Sequence, residues 1–551
     1  MDISATPAAD AASRERLVIG ASSLGTMFEW YDFFLYGALA SYIARHFFSG
    51  VNETTGFIFA LAAFAAGFIV RPLGALLFGR IGDVVGRKNT FLVTMALMGV
   101  STFVVGLLPG YAEIGIAAPI LLIVLRLMQG LAIGGEYGGA AIYVAEHAPA
   151  DKRGFQTSFI QTTAVLGLIL SLVVIMAIRT LMTPEAFGEW GWRIPFLVSI
   201  FLLAISLWIR LKLNESPVFQ KMKAESATSS APFAEAFGNW ANLKLVLVAL
   251  FGVVAGQAVS FYASTFYMLF FLERVLKVDG FTANTIVLIA LTIGGPFYIV
   301  FGRLSDRVGR KPVIMAGLII AALTTFPVFH ALSAAANPAL AAAQKATPVI
   351  VAADRAGCSL QFDPVGRNKF DKSACDIAKA YLTRAGVSYE NQPLAGGAEI
   401  RIGDRVIAAP DPSAVDGEAR AETIAAFGAD VSAALKAAGY PDRVDPERMN
   451  KPLMIALIAF FVMVQTMSYG PLAAMLVELF PARIRYTSMS LPYHVGNGWF
   501  GGFLPTTAFA IVAATGDAFA GLWYPVIVMA GSFVIGMAFL PETRGRTVEH
   551  G

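Results

Sequence analysis

Long apolar segments recur along most of this 551-residue sequence, and they constrain the fold more than any other feature. A helix needs about 20 apolar residues to cross the hydrocarbon core of a bilayer. Strands of a membrane barrel would be shorter and would alternate polar and apolar residues, a pattern that is absent here. The segments of sufficient length are 17–44, 56–79, 89–109, 117–145, 155–178, 192–211, 242–272, 282–303, 312–333, 452–477, 486–514 and 520–540. The sequence therefore predicts an all-α membrane protein with twelve spanning helices.

Charged residues are scarce and unevenly distributed. They make up only 14% of the chain, whereas soluble proteins average about 25%. Residues 335–451 are the exception, with 14 Lys or Arg and 15 Asp or Glu in 117 positions. This segment is predicted to be a water-soluble insert between helices 9 and 10. The net charge of +3 gives no indication of nucleic-acid binding, and the polar first 16 residues do not resemble a cleaved signal peptide.

The basic residues predict how the chain is oriented. If the N-terminus is cytoplasmic, the short cytoplasmic parts carry 20 Lys or Arg and the short outside loops carry 5. Such an excess is typical of the cytoplasmic side of a membrane protein. We therefore expect a multi-pass protein of the bacterial inner membrane, with both termini in the cytoplasm and the insert in the periplasm.

Two pairs of motifs reveal an internal repeat. Segment 79–88 (GRIGDVVGRK) matches 302–311 (GRLSDRVGRK) at seven of ten positions, and 146–153 aligns with 478–485. The two offsets are 223 and 332, and their difference of 109 corresponds to the insert. Inverted or parallel repeats of this kind are typical of secondary transporters. The predicted parts are an N-terminal six-helix half (1–220), a cytoplasmic linker (221–241), a C-terminal half (242–334 and 452–551) and the insert (335–451).

The first repeated motif also predicts a mechanical role. Asp83 and Asp306 can pair with arginines such as Arg87 and Arg310, or can cap the start of a neighbouring helix. Such contacts would hold the cytoplasmic side closed in one conformation and release it in another. The alternative is a basic loop that only follows the positive-inside rule, but two copies at equivalent helix positions favour the gating interpretation.

An ordered set of motifs resembles the major facilitator superfamily, and specifically its metabolite:proton symporter family. That family includes alpha-ketoglutarate, citrate, shikimate and proline/betaine transporters. The motifs are 29–33 (EWYDF), 71–74 (RPLG), 126–130 (RLMQG), 134–137 (GGEY), 191–195 (GWRIP), 215–217 (ESP) and 541–545 (PETRG). The resemblance implies a twelve-helix (6+6) bundle and proton-driven import of a small carboxylated metabolite by a monomer, without a cofactor. It says nothing about the insert.

Five ionisable side chains are predicted to lie deep in the first half: Glu29, Asp32, Arg71, Arg126 and Glu136. Charges are costly in lipid, so they should face a cavity or pair with one another. Their depths, at 1.5 Å per helical residue, predict pairs of Glu29 and Asp32 with Arg126, and of Glu136 with Arg71. Arg126 is the candidate for binding a substrate carboxylate. Asp32 is the candidate proton carrier, with Glu29 and Glu136 as second candidates, and structural ion pairs are the alternative.

The second half offers neutral polar side chains within its predicted helices. Substrate selectivity is expected to come from this wall. Its members are Gln257, Tyr262, Tyr267, Gln465, Tyr469, Tyr493, His494 and Asn497. The predicted substrate-binding set combines Arg126 and Tyr31 of the first half with Gln257, Tyr262, Tyr493 and Asn497 of the second.

The insert is predicted to be a small α+β domain. Its elements are a strand at 347–352, helices at 372–385 and 417–438, and a hairpin at 399–408. Both cysteines of the chain, Cys358 and Cys375, lie in it. In an oxidising compartment they should form a disulfide, and free thiols are the alternative. No cluster near them suggests a metal site.

These features predict a proton-coupled importer of a small organic acid, such as a dicarboxylate, an oxo-acid or a shikimate-like acid. Uptake of a zwitterion such as proline or betaine is the alternative, because a zwitterion also carries a carboxylate. A transporter-like sensor is a further possibility. An enzyme finds little support, since no nucleophile–base motif occurs in a fitting context, and no ATP-binding loop is present.

Overall fold

The structure is a computed structural model that describes residues 7–49, 53–211, 215–225, 227–354, 357–359, 370–413, 417–442 and 444–547. Within them, long helical segments correspond to the twelve predicted spans. They are α1 (Pro7–Ala38), α2 (Glu53–Val84), α3 (Arg87–Leu107), α4 (Ala117–His147), α5 (Arg153–Leu181), α6 (Ile194–Leu211), α7 (Trp240–Val275), α8 (Gly280–Val308), α9 (Arg310–Ala336), α10 (Lys451–Leu479), α11 (485–515) and α12 (Trp523–Phe539). Nine of the described helices are long and apolar enough to cross a membrane. The predicted twelve-helix bundle is confirmed.

Shorter helices lie between or beside the spans. They are Ala40–Phe47, Tyr111–Ile114, Pro184–Glu189, Pro217–Ala224, Pro232–Phe237 and Pro338–Ala346. Several begin with proline at the first helical position, where the missing N–H is not needed. The helices Pro217–Ala224 and Pro232–Phe237 lie in the linker region between α6 and α7, so this region is ordered over most of its length.

Two spans of the second half depart from regular α-helix. Helix α7 contains π-helical turns at Leu250–Val254, Ala263–Tyr267 and Phe271–Val275, and α11 contains one at Gly496–Gly501. A π-helical turn inserts an extra residue and is frequent at functional sites. Both helices carry residues that the sequence predicts to bind substrate.

The two halves contact each other along equivalent helix pairs. Helix α2 packs against α11, and α5 packs against α8. A Cβ atom at Gly79 of α2 would lie 2.9 Å from the Cα atom of Thr487 in α11, and one at Gly302 of α8 would overlap the backbone of Gly154 in α5. Glycine therefore allows the halves to approach closely at both pairs. We call the end of the bundle with loops 84–87 and 308–310 the motif end, and the opposite end the insert end.

The insert forms a four-stranded sheet flanked by helices. The strands are β1 (Val349–Ala353), β2 (Tyr389–Pro393), β3 (Ala398–Ile402) and β4 (Arg405–Ala408), in the order β2-β1-β3-β4. β1 is parallel to β2 and antiparallel to β3, and β3–β4 is the predicted hairpin. Helices Ala374–Arg384 and Gly417–Ala437 also agree with the sequence. Strand β2 and the helix Pro338–Ala346 were not predicted.

The insert has a core of its own and carries the disulfide between Cys358 and Cys375. It contacts the second half at two loops of the insert end. The backbone N–H of Tyr389 in β2 donates to the carbonyl of Gly516, 2.7 Å away, in the α11–α12 loop. The Lys277 ammonium of the α7–α8 loop donates to the carbonyl of Pro441, 2.8 Å away. The insert therefore connects α7 and α11 at the insert end of the bundle.

Candidate functional site

The motif end is held by two equivalent groups of buried charges. The first network consists of Asp83, Arg87, Glu146 and Arg485, and the second consists of Asp306, Arg310, Glu478 and Arg153. Each network contains residues of both halves, and the two are related by the internal repeat. Glu146, Glu478, Arg153 and Arg485 belong to the second aligned pair of motifs, but the sequence did not assign them a role.

Each aspartate accepts hydrogen bonds from the first turn of a helix in the other half. The Asp83 carboxylate of α2 accepts from the backbone N–H groups of Tyr486, at 3.2 Å, and Thr487, at 2.9 Å, in α11. The Asp306 carboxylate of α8 accepts from Gly154, at 2.8 Å, and Phe155, at 2.7 Å, in α5. A carboxylate is well placed there because a helix N-terminus has unsatisfied N–H groups and a positive end of its dipole.

The arginines and glutamates differ in detail between the networks. In the first, Arg485 binds Glu146 with an N–O distance of 2.7 Å, and Arg87 lies 3.6 Å from Asp83. In the second, Glu478 binds both Arg153, at 2.9 Å, and Arg310, at 3.1 Å. All these side chains are buried. Buried ion pairs of this kind lose several kcal/mol if one partner is removed, so the halves are joined firmly at this end.

Further residues complete each network symmetrically. The Ser216 hydroxyl donates to Glu146, and the Thr543 hydroxyl donates to Glu478 at 2.8 Å. Glu215 accepts from the backbone N–H of Lys88, as Glu542 accepts from the N–H groups of Arg310 and Lys311. These residues lie in the ESP and PETRG motifs. In the sequence, these two motifs were recognised only by their resemblance to the metabolite:proton symporter family.

In the membrane interior of the first half, the predicted pairing of Glu29 and Asp32 with Arg126 is wrong. The Glu29 carboxylate lies 3.7 Å from Arg210 at the end of α6. Asp32 accepts a hydrogen bond of 2.5 Å from the Ser199 hydroxyl, also in α6. The reason is that α1 packs against α6 with this face. Arg210 and Ser199 are therefore functional candidates that the sequence analysis missed.

Arg126 and Tyr31 lie within the first half. The Arg126 guanidinium donates to Gln129, at 2.5 Å, and lies over the Tyr36 ring, 4.1 Å from its centre. The Tyr31 hydroxyl donates to the backbone carbonyl of Pro195, 2.8 Å away, in α6. These contacts do not bring either side chain to the predicted substrate-binding residues of the second half.

Arg71 lies at the seam between the halves instead. Its guanidinium lies over the rings of Phe33 and Phe68, at 4.7 and 4.3 Å from their centres, and it hydrogen-bonds with the hydroxyl of Tyr262 in α7. The predicted pair of Arg71 with Glu136 is wrong, because neither carboxylate oxygen of the buried Glu136 has a hydrogen-bond partner among the described residues. Arg71 is therefore a buried arginine of the first half that interacts with the second half.

Tyrosine side chains continue this seam. Tyr137 of α4 and Tyr493 of α11 stack with ring centres 3.5 Å apart. Tyr137 accepts a hydrogen bond of 2.6 Å from Gln161, and the hydroxyls of Tyr493 and Tyr469 are 2.6 Å apart. Asn497 donates to the carbonyl of Tyr493 at 3.1 Å. The structure thus joins Tyr493 to Tyr137, which the sequence analysis had quoted only as part of a motif.

Several buried polar groups near this seam lack a hydrogen-bond partner in the described part of the chain. They include both side-chain polar atoms of Gln257, both ring nitrogens of His494, and two guanidinium nitrogens of Arg71. Buried polar groups are normally satisfied by protein or by ordered water. Their presence on both halves indicates a region suited to a polar solute. Among the described residues, no group of three or more His, Cys, Asp and Glu side chains could hold a metal ion.

Comparisons with known proteins bear on the family. The family of sugar (and other) transporters matches residues 17–239 and 424–551. A proline/betaine transporter of Salmonella typhimurium is 39% identical over 325 residues, which cover 57% of this chain and 64% of that protein. The alpha-ketoglutarate permease of Escherichia coli is 36% identical, with 58% and 72% covered, and its shikimate transporter is 38% identical, with 58% and 74% covered.

A solved structure shows the same fold. The proton:xylose symporter XylE superimposes with a TM-score of 0.63 at 15% identity, covering 98% of each chain. Its published description assigns it to the major facilitator superfamily. Taken with the matched family and the relatives above, this fold identifies the present chain as a member of the sugar (and other) transporter family within the major facilitator superfamily.

Proposed function

We propose that this chain is a secondary transporter that carries a small carboxylated solute together with protons by alternating access. The observation that carries the proposal is the position of Arg71. It is a buried cation at the seam between two repeated halves, surrounded by aromatic rings of α1, α2 and α7. A guanidinium binds a carboxylate with two parallel hydrogen bonds, and the two nitrogens without partners are available for this.

The networks at the motif end supply the alternation. They join the halves there, so a solute could leave at that end only after the ion pairs have separated. With the orientation favoured by the basic residues, the termini lie in the cytoplasm, the insert lies in the periplasm, and the described conformation is closed toward the cytoplasm. We propose that Asp83, Arg87, Asp306 and Arg310 form this gate.

Asp32 is the proposed proton carrier. It is buried, and its hydrogen-bond partner Ser199 is neutral. A carboxylate without a cationic partner is costly to bury, which favours uptake of a proton. Glu136 is a second candidate for the same reason. Glu29 is less suited because Arg210 balances its charge.

The solute is proposed to be a small organic acid, with a zwitterion such as proline or betaine as the second candidate. Relatives of both kinds are similar to this chain. Arg71 favours either solute, since both carry a carboxylate. Gln257, Tyr262, Tyr493 and Asn497 are proposed to line the path on the second half.

Uptake into proteoliposomes tests the proposal. Alpha-ketoglutarate, shikimate, proline and betaine are offered with and without an imposed pH gradient. We expect one of them to accumulate only with the gradient, and counterflow of that solute would exclude a pure sensor. Failure of all four to accumulate or exchange would contradict the proposed substrate class.

Two variants, each with a matched control, separate the residue roles. Arg71→Gln should raise KM about 10- to 100-fold, the loss of a charged hydrogen bond, whereas the matched variant Arg126→Gln should change KM less. Asp32→Asn should abolish gradient-driven accumulation but keep counterflow, while Glu29→Gln serves as its control. If Arg126→Gln has the larger effect on KM, or if Asp32→Asn still accumulates solute, the corresponding assignment is incorrect.

A further inference from the structure

A cavity at the insert end lies between the insert and the end of α7. Its volume is about 400 Å³, enough for a small metabolite with water. The α7–α8 side contributes Glu273, Arg274 and Lys277, and the insert contributes Tyr381, Ala385, Ser432, Leu435, Tyr440, Pro441 and Asp442. Arg274, Ser432 and Asp442 are exposed, so the cavity is reached from the surface. It is far along α7 from the seam of the two halves.

The walls of the cavity are held in place from both sides. The Lys277 ammonium donates to the Pro441 carbonyl at 2.8 Å, and the Tyr440 hydroxyl donates to the Thr347 carbonyl at 2.7 Å. Lys277 has a backbone φ of 61°, which is unfavourable for a residue with a side chain. Such backbone strain persists only where the surroundings enforce it, and it clusters at ligand-binding and switch regions.

The cavity is lined by charged side chains of both signs. Two carboxylates, Glu273 and Asp442, stand against two cations, Arg274 and Lys277. No ion pair within 4.0 Å involves Arg274 or Asp442 among the described residues. The carboxylate of Glu273 accepts only a long hydrogen bond of 3.3 Å from Asn284 in this part of the chain. Burial lowers the pKa of the Lys277 ammonium, and the Asp442 carboxylate opposes this shift.

We propose that this cavity is a binding site for a small zwitterion, with a carboxylate and a cationic nitrogen. Arg274 and Lys277 would bind the carboxylate, and Glu273 and Asp442 would bind the cationic group. A dicarboxylate fits less well, because its second carboxylate would meet those two acids without a cation to balance it. This site is separate from Arg71, and the proposal holds whichever solute is transported.

The position of the site links it to the transport domain. Glu273 and Arg274 belong to the π-helical turn Phe271–Val275, with which α7 ends. The same helix carries Gln257 and Tyr262. A zwitterion that bridges α7 and the insert would hold the end of α7 against a domain that is also bound to the α11–α12 loop. The site is therefore placed to regulate how α7 moves against α11.

Protection of an introduced thiol tests the proposal. Ser432→Cys places a thiol in the cavity wall, while the native cysteines are joined in a disulfide and do not react. The full-length protein in nanodiscs is labelled with a water-soluble maleimide in the presence of proline, glycine betaine or succinate. We expect proline or glycine betaine to slow labelling at least fivefold and succinate to have no effect. The control is Ala437→Cys, an exposed position of the same helix outside the cavity lining.

Three further variants distinguish this site from the transport site. Adding Asp442→Asn should raise the half-protecting concentration about tenfold, whereas the matched Asp445→Asn, outside the cavity, should not change it. Adding Arg71→Gln should leave protection intact even if transport is lost. Equal protection of both thiols, protection by succinate alone, or no protection by either zwitterion would overturn the proposal.

Discussion

The two networks at the motif end arise from the same repeated motif, yet they bind their charges differently. In the second network, Arg310 lies 2.6 Å from Asp306 and 3.1 Å from Glu478. In the first, the equivalent Arg87 lies 3.6 Å from Asp83 and 4.0 Å from Glu146. The second network is therefore the more closely paired of the two.

Arg87 compensates with backbone contacts. Its guanidinium donates to the carbonyls of Gly82, at 2.9 Å, and Ala482, at 2.8 Å. The second network thus depends mainly on ion pairs, whereas the first depends more on hydrogen bonds to backbone carbonyls. Substitution of an acidic residue does not remove those backbone hydrogen bonds. A repeated sequence can therefore give two unequal halves to the proposed gate. Removal of an acid should open the second network more readily than the first.

The variants Glu478→Gln and Glu146→Gln are expected to differ most in how far they shift the protein toward the conformation open at the motif end. Glu478 neutralises two buried arginines, and breaking a buried pair costs about 3–5 kcal/mol. Among the described residues, Glu146 has one close ion pair, which is with Arg485. We expect Glu478→Gln to shift the protein strongly toward the conformation open at the motif end, and Glu146→Gln to shift it less.

A single reporter measures this opening. Ser158→Cys is nearly isosteric and is buried where α5 packs on Gly302 of α8. Its alkylation rate reports the separation of the halves at this end, and the variant alone sets the baseline. Equal or reversed rates in the two glutamine variants would show that the close pairing of the second network carries no additional free energy.

The next largest difference in the alkylation rate of the Ser158→Cys thiol is expected between Asp306→Asn and Asp83→Asn. Both variants keep an amide oxygen that can accept from the helix N–H groups but lose the negative charge at the helix N-terminus, which costs up to about 2 kcal/mol. Asp306→Asn also loses the ion pair of 2.6 Å with Arg310. Alkylation of the Ser158→Cys thiol should therefore be faster with Asp306→Asn. If Asp83→Asn gives the faster reaction, the contacts of the aspartates with the helix N–H groups, and not the ion pairs, determine the strength of each network.

These residues also show what a sequence can reveal about such a gate. Asp83 and Arg87 lie four residues apart across the short loop between two helices, as do Asp306 and Arg310, so these two pairs could be predicted from their proximity in the sequence. The helix that each aspartate caps belongs to the other half, and only the alignment of the two repeats hinted at it. Glu146 and Glu478 appeared in that alignment, but their respective partners Arg485 and Arg153 lie more than 300 positions away, in the other half.

The membrane interior was less predictable. Depth along a helix follows from counting residues, and this correctly indicated that Glu29 and Asp32 are buried. Depth does not determine which neighbour a helix face meets, so the pairing with Arg126 was wrong. Arg210, at the end of the predicted span 192–211, was not considered as a partner of Glu29. The elements of the insert were predictable from local patterns, whereas its docking on α7 and α11 was not.

A smaller effect, on the melting temperature, is expected for the hydroxyls that donate to the glutamates. Here the residue of the first network should have the larger effect. Ser216 donates to Glu146 and also accepts from the backbone N–H of Phe219, thereby capping the helix Pro217–Ala224. Among the described residues, the Thr543 hydroxyl has one hydrogen bond, which it donates to Glu478. A hydrogen bond to a charged group contributes about 1.5–3 kcal/mol. Ser216→Ala should therefore lower the melting temperature more than Thr543→Val, and an equal loss would mean that the cap contributes little.

The smallest effect is expected for Glu542→Gln and Glu215→Gln. Each acid accepts backbone N–H groups at the start of a helix, at 2.9 and 3.0 Å for Glu542 and at 3.2 Å for Glu215. Both sites are partly or fully exposed, where a charge near a helix N-terminus contributes about 0.3–1 kcal/mol and is screened by salt. The glutamine amide oxygen can still accept these bonds, so only the charge term is lost. Melting temperatures at low and high salt should differ for the wild type but converge for both variants. A large decrease in melting temperature that persists at high salt would instead mean that these acids are part of the buried networks. They would then stabilise the closed conformation as much as Glu146 and Glu478 do.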